Sequence, residues 1–206
     1  MNSSQGDAAT RSAPAVTRCL SLAMRRHDDS YRYALPYRFG ERYEVSQGYH
    51  GAKSHTGESR YSIDFAMPER TVICAARDGK VIEVIDHYDR GGWDTSLKSQ
   101  CNFVEIAHAD GTVAVYAHLV CQGSRVAEGD VVHRGQPIAL SGNTGWSDGP
   151  HLHFHVLGPD GVQLPTVFST RDTDQQTLVE GEVYSHPGDE SWLEWCWCRL
   201  CGLVVG

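Results

Sequence analysis

Gly149-Pro150-His151-Leu152-His153-Phe154-His155-Val156 alternates histidine with apolar residues at a period of two. In a β-strand, residues two apart share a face. His151, His153 and His155 therefore line one side of a strand, and Leu152, Phe154 and Val156 line the other. Imidazoles gathered on one face are costly to bury unless each finds a partner. Neutral imidazole is a good zinc ligand, so metal binding is the first expectation. A solvent-facing strand that carries its histidines by chance is the bland alternative, and the octapeptide alone leaves both open.

Composition narrows the field. A chain of 206 residues suits one domain with appendages, or two small ones. Glycine is abundant and helical periodicity is scarce, which predicts a mainly β fold. The net charge is −8, with only three lysines, Lys53, Lys80 and Lys98. That excludes sequence-independent nucleic-acid binding, which needs clustered Lys and Arg. The seven cysteines are odd in number, and their spacing shows no disulfide framework. Cys74 and Cys101 sit in apolar runs and read as small core residues. Cys196, Cys198 and Cys201 crowd together near the end, but no fourth ligand follows for a structural zinc site.

No segment reaches the roughly 20 apolar residues that span a bilayer. Arg11, Arg18, Arg25 and Arg26 precede no apolar run fit for a secretory signal, so no signal peptide is visible. Cys19 follows Val16-Thr17-Arg18, a poor setting for lipid modification.

Along the chain, residues 1–30 are rich in Ser, Ala, Arg and Asp without periodicity and read as a flexible leader. Aromatic residues mark the entry to a domain expected over 31–170. Short strands follow in quick succession. Phe103–His108 and Thr112–Leu119 flank the turn Ala109-Asp110-Gly111 and predict a hairpin. Alternation along its second strand puts Tyr116 and His118 on one face. The polar, Gly-rich stretch 86–100 reads as a long loop of the kind that flanks binding sites. Residues 171–206 read as a C-terminal tail of open role.

Asp64 lies inside the apolar run Ile63-Asp64-Phe65-Ala66. A carboxylate there needs a positive partner, a metal or a turn to cap. Taken with His55 and His153, it completes a set of two imidazoles and one carboxylate. Such a set holds zinc and leaves a fourth position for water. Zinc there lowers the water pKa towards about 7 and polarises a substrate carbonyl. His118 and His151 are then available for proton transfer and oxyanion stabilisation.

The chain resembles the LytM/lysostaphin-type zinc endopeptidases of bacterial peptidoglycan metabolism, the LytM-like or duplicated-hybrid-motif domains. The likeness covers roughly 35–167. It is carried by His55, by Asp64-Phe65-Ala66-Met67-Pro68, by Ala75-Ala76-Arg77-Asp78-Gly79-Lys80-Val81 and by Tyr116-Ala117-His118-Leu119. Gly129-Asp130-Val131-Val132-His133-Arg134-Gly135-Gln136, Ser141-Gly142-Asn143-Thr144-Gly145 and Gly149-Pro150-His151-Leu152-His153-Phe154 complete it. The resemblance implies one Zn2+ per chain held by His55, Asp64 and His153, with His118 and His151 as the catalytic histidines. It implies a single antiparallel, sandwich-like β domain with zinc on the floor of a narrow groove. The implied substrate is the peptide part of peptidoglycan, and the implied location is the periplasm or the cell envelope.

Three departures from the family pattern stand out. Eight residues separate His55 from Asp64, where many members have fewer. His155 stands where many carry an acidic or amide residue, and reads as an outer or surface group rather than a ligand. His50 rivals His55 as ligand, although the His-x-Gly pattern favours His55. The remaining His27, His87, His108, His133 and His186 match nothing in the pattern and read as surface or loop residues. Two other functions compete with this one. Val126–Val132 and Gly135–Ile138 resemble half of a biotinyl or lipoyl carrier, but none of the three lysines has the hairpin-tip setting of a carrier lysine. A non-catalytic LytM-like module that binds cell wall or activates another murein hydrolase is the stronger rival.

Overall fold

The computed structural model describes residues 30–171 and 177–187. The leader with Cys19 and His27, and the cluster Cys196, Cys198 and Cys201, lie outside them. Strands dominate the described chain; its only helical elements are two 3-10 turns, Gly57–Ser59 and Thr95–Leu97. The strands are β1 (Arg32–Ala34), β2 (Arg42–Gln47), β3 (Ile63–Ala66), β4 (Val72–Cys74), β5 (Gly79–Ile85), β6 (Gly91–Gly92), β7 (Phe103–Ala107) and β8 (Val113–Ala117). They continue with β9 (Val131–Val132), β10 (Pro137–Leu140), β11 (Gly145–Trp146), β12 (His151–Leu157), β13 (Gln163–Leu164), β14 (Val167–Ser169) and β15 (Val183–Ser185). None of the described helical elements is long and apolar enough to cross a membrane.

A nine-stranded sheet runs in the order β15-β2-β3-β12-β8-β7-β5-β9, with β13 added to β12. Its pairings are antiparallel. Three two-stranded pairs, β1 with β14, β10 with β4 and β11 with β6, complete the open architecture. The expected hairpin is present as β7 and β8, paired from Phe103–Ala117 to Ala107–Val113. β15 pairs with β2, so the edge of the sheet uses residues beyond the expected 31–170 domain.

The histidine strand is the middle of this sheet, flanked by β3 and β8. Leu152, Phe154 and Val156 are fully buried. Phe154 packs edge-on against Tyr116 at 5.2 Å and Phe168 at 5.7 Å. Burying one such side chain stabilises by about 2–3 kcal/mol. A slip of one residue would turn these three side chains out and the imidazoles in, so the apolar face fixes the register. That register sets His153 opposite Asp64 on one side and opposite Ala117 on the other.

Two sequence expectations are corrected by the packing. Tyr116 and His118 do not share a face. Tyr116 is buried in the core, its hydroxyl accepting from the Ala76 amide at 2.8 Å. β8 ends at Ala117, and His118 takes a left-handed φ of 62°, which breaks the alternation and turns its imidazole into the cleft.

His108 is the second correction, being buried rather than on the surface. Its Nδ1–H donates to the Asp78 carbonyl at 2.8 Å, and its Nε2 is buried without a hydrogen-bond partner. Arg77, paired to Asp110 at 2.8 Å, lies close by. Burial, aided by the Arg77 charge and opposed by Asp78 and Asp110, pushes the His108 imidazole down to about 4. In the unfolded chain it titrates near about 6.5. The folded protein therefore keeps this stabilisation above about pH 6.5 and loses it as acid protonates the unfolded state, down to the folded value. His108→Gln removes this titration. Between pH 7.5 and 4.5 the native protein should lose about 2–3 kcal/mol more than the variant. Urea unfolding in chelator checks this, and parallel losses in the two proteins would refute it.

Candidate metal centre and cleft

The imidazole face of β12 opens into a cleft of about 460 Å³ lined by His55, Asp64, His118, His151, His153 and His155 among others. Asp64 Oδ1 is the point of convergence. His153 Nδ1 lies 2.8 Å from it, His55 Nε2 3.2 Å and His151 Nε2 3.7 Å. Burial pushes the Asp64 carboxyl up, but the hydrogen bond with His153 and the other imidazoles that face it hold it well below the usual carboxylate range. Burial likewise lowers His55, and Asp64 more than offsets this, leaving it raised.

The loop before β3 fixes His55. Its Nδ1–H donates to the Gly48 carbonyl at 2.9 Å. That tautomer leaves a lone pair on Nε2, aimed at a carboxylate oxygen that also carries only lone pairs. His55 Nε2 is fully buried and makes no hydrogen bond. An acceptor facing an acceptor in a dry site needs a proton or a metal ion between them. Two imidazoles and a carboxylate are also the donor set of an open zinc site. On both grounds the residues fit a divalent metal.

Gln47 is a supporting residue that sequence reasoning missed. It ends β2 beside a register shift opposite Asp64. Its Nε2 donates to Asp64 Oδ2 at 3.0 Å and to Ser54 Oγ at 2.7 Å. Its Oε1 accepts from the amides of Lys53 and Ser54. One amide thus ties the carboxylate to the loop that carries His55. Gly51 makes room for it, since a Cβ there would lie 2.3 Å from Gln47 Cγ. No spacing signal in the sequence marks a lone glutamine at a strand end.

His118 and His151 approach from the other side, their ring centroids 4.6 Å apart. His118 Nδ1–H donates to the Thr144 carbonyl at 2.6 Å, and His151 Nδ1–H to the Gly149 carbonyl at 2.8 Å. Both are therefore held with Nε2 as an acceptor. Burial, with His151 and His153 nearby, pushes the His118 imidazole down to about 3. Thr144 is itself fixed through its hydroxyl to the Leu119 carbonyl and the Asn102 amide. Cys101, expected in the core, is only partly buried and receives the His118 amide at its Sγ. Burial raises its thiol to about 11, so it stays a neutral packing group.

Among the described residues, two triads have ligand atoms within 4.8 Å of one another: His55, Asp64 and His153, and also His118, His151 and His153. His153 belongs to both. His155 belongs to neither; its Nδ1 lies 3.2 Å from His153 Nε2. His50 is exposed, has a φ of 58° and packs against Tyr61.

The family model described as Peptidase family M23 matches residues 58–164. The chain belongs to peptidase family M23. Among M23-like relatives, the peptidoglycan DD-endopeptidase ShyA of Vibrio cholerae is 31% identical over 137 residues, 64% of this chain and 29% of that protein. The DD-carboxypeptidase/endopeptidase Mpg of Neisseria meningitidis is 38% identical over 119 residues, 54% of this chain and 24% of its own length. The chain thus spans under a third of these two relatives. Among solved structures, the deep-sea M23 metalloprotease pseudoalterin aligns over 76% of this chain and 96% of its own, with a TM-score of 0.51 at 16% identity. That likeness concerns the fold, an open, mainly β architecture.

Proposed function

We propose that this M23 domain is a zinc endopeptidase that hydrolyses peptide cross-links of bacterial peptidoglycan in the periplasm or cell envelope. The observation that carries the reading is His55 Nε2, buried and without a hydrogen-bond partner, facing the Asp64 oxygen on which His153 also converges. The name of ShyA supports peptidoglycan as the substrate class, and those of both ShyA and Mpg support an endopeptidase.

His55, Asp64 and His153 would hold the metal. Zinc, when bound there, supplies Lewis-acid polarisation of a substrate carbonyl and acidifies a water. Gln47 holds the second oxygen of Asp64, which keeps Oδ1 turned to the metal position. His118 and His151, with Nε2 free to accept, take up and return protons around the scissile amide and stabilise the oxyanion.

With Nδ1 given to a metal, His153 would carry its proton on Nε2, 3.2 Å from His155 Nδ1, and would donate it there. His155 is then an outer partner that fixes the ring of a ligand. Replacing His155 by alanine is expected to weaken zinc binding by about 10–100-fold without abolishing it. Competition with a fluorescent chelator measures this, and unchanged affinity would count against the role.

The test of the function is a digest of purified cross-linked peptidoglycan by the zinc-loaded chain, with a chelated control, read by mass spectrometry. Zinc-dependent loss of cross-linked dimers is expected, and the new termini name the bond cut. Intact cross-links after treatment with protein that still holds zinc would overturn the enzyme reading in favour of a non-catalytic module that activates another murein hydrolase.

A further inference from the structure

One wall of the cleft is not used by the metal centre. The parallel pairing of β6 with β11 sets Trp146 opposite Gly92, and Trp93 follows directly. The two indoles stack with centroids 4.4 Å apart at 23°. The Lys98 ammonium lies 4.6 Å from the Trp146 ring. All three line the same cleft as the histidines. Trp146 is also joined to the catalytic side through its neighbour Ser147, whose Oγ donates to the Gly149 carbonyl and lies 3.3 Å from His151 Nδ1.

This wall is built rather than incidental. The stretch 86–100, expected to be an irregular loop, contains β6 and the turn Thr95–Leu97. Leu97 is buried, and Asp94 caps the turn by accepting from the Ser96 amide at 2.9 Å. Gly91 lets the stretch close on its partner, because a Cβ there would fall 1.4 Å from the Asn143 carbonyl oxygen. No larger residue fits. Yet the wall leaves Trp93 55% exposed, and an exposed aromatic in a polar cleft is a platform for a ligand.

Charge decides which ligand. Lys53, the other lysine of the cleft, is paired with Asp148. Among the described residues no carboxylate lies within ion-pair distance of Lys98. Its ammonium lies 4.6 Å from the centre of the Trp146 ring, a contact that supplies no counter-charge. In a chain of net charge −8, this is an uncommitted cation on the rim of a site that takes peptide. A neutral saccharide on the exposed Trp93 ring would leave the Lys98 ammonium without a counter-charge. An anion wants the ammonium.

We propose that Trp93, Trp146 and Lys98 form a subsite for a carboxylate-bearing residue of the peptide substrate, the ammonium pairing with the carboxylate while the aliphatic stem lies on the indoles. The subsite rests on the peptidase reading and deepens it into a charge specificity.

The test uses two synthetic stem-type tetrapeptides that differ only in a side-chain carboxylate or carboxamide. Each is titrated calorimetrically into the zinc-loaded full chain carrying His151→Ala, so that the peptide is not consumed. The acid is expected to bind about tenfold more tightly than the amide, and less so at high salt. Lys98→Met in the same background should bring the two peptides within about twofold of each other, and Lys98→Arg should restore the preference. Trp93→Ala should weaken both peptides alike, by about fivefold. Equal binding of acid and amide, a preference that survives Lys98→Met, or no binding of either peptide would overturn the subsite. The digest of peptidoglycan separates the two claims. Cleavage without an acid preference removes the subsite and leaves the endopeptidase; an acid preference without cleavage removes the endopeptidase and leaves the subsite.

Discussion

Replacing His153 by alanine is expected to remove the metal and to abolish peptide hydrolysis together. His153 is the side chain closest to the point of convergence, its Nδ1 2.8 Å from Asp64 Oδ1. Among the described residues it is also shared by both groups able to hold a metal. Without it, His55 and Asp64 remain as two ligands, one short of the three that catalytic zinc sites use. The loss of affinity should far exceed the ~10–100-fold that an outer partner such as His155 is worth. The fold should survive, because the core face of β12 is made by Leu152, Phe154 and Val156, all untouched and fully buried. Metal analysis after gel filtration, with circular dichroism as the control, reads the outcome. A folded variant with one zinc per chain would sink the ligand assignment, and retained turnover would sink the mechanism with it.

The sequence made this strand legible because two requirements coincide in it. Its apolar residues must alternate to bury one face, and its histidines therefore fall on the other. Asp64 was legible for a related reason: a carboxylate in an apolar run demands a partner, and antiparallel pairing supplies His153. His118 was legible only as a candidate. Alternation along β8 assigns it to the face of Tyr116, and the left-handed φ of 62° that turns it into the cleft leaves no mark in the pattern. Gln47 was invisible because its role depends on a register shift and on Gly51, distant constraints that only the folded chain assembles. The Trp93–Trp146 wall was hidden similarly. It joins a stretch that reads as loop to the approach of the histidine strand through a pairing of two residues on each side. His108 was misplaced because a polar residue at the start of a turn reads as exposed, whereas the fold buries it against the Tyr33 ring.

His118→Ala and His151→Ala are expected to give the opposite result from His153→Ala: full zinc occupancy and a kcat lower by about 10²–10⁴-fold each. The outcome turns on which triad holds the metal. His118, His151 and His153 also gather within reach of one ion, and an ion there would make the first two ligands rather than proton carriers. Two features favour His55, Asp64 and His153. The first is charge: this triad brings a carboxylate kept ionised by its neighbours, whereas the other offers only neutral imidazoles to a dication. The second is the buried His55 Nε2, an acceptor without a partner that a metal on the other side would leave unsatisfied. The two assignments differ sharply in outcome. If the all-histidine triad holds the ion, His118→Ala and His151→Ala strip the zinc, while His55→Ala keeps it. If the mixed triad holds it, His55→Ala strips the zinc, and the other two variants keep it and fail in turnover. The double variant His118→Ala/His151→Ala should then be little slower than either single one, because two groups serving one proton-transfer and oxyanion step lose their effect as a unit. Zinc content measured beside kcat in these four variants decides between the triads, and loss of zinc from His118→Ala would overturn the one argued for.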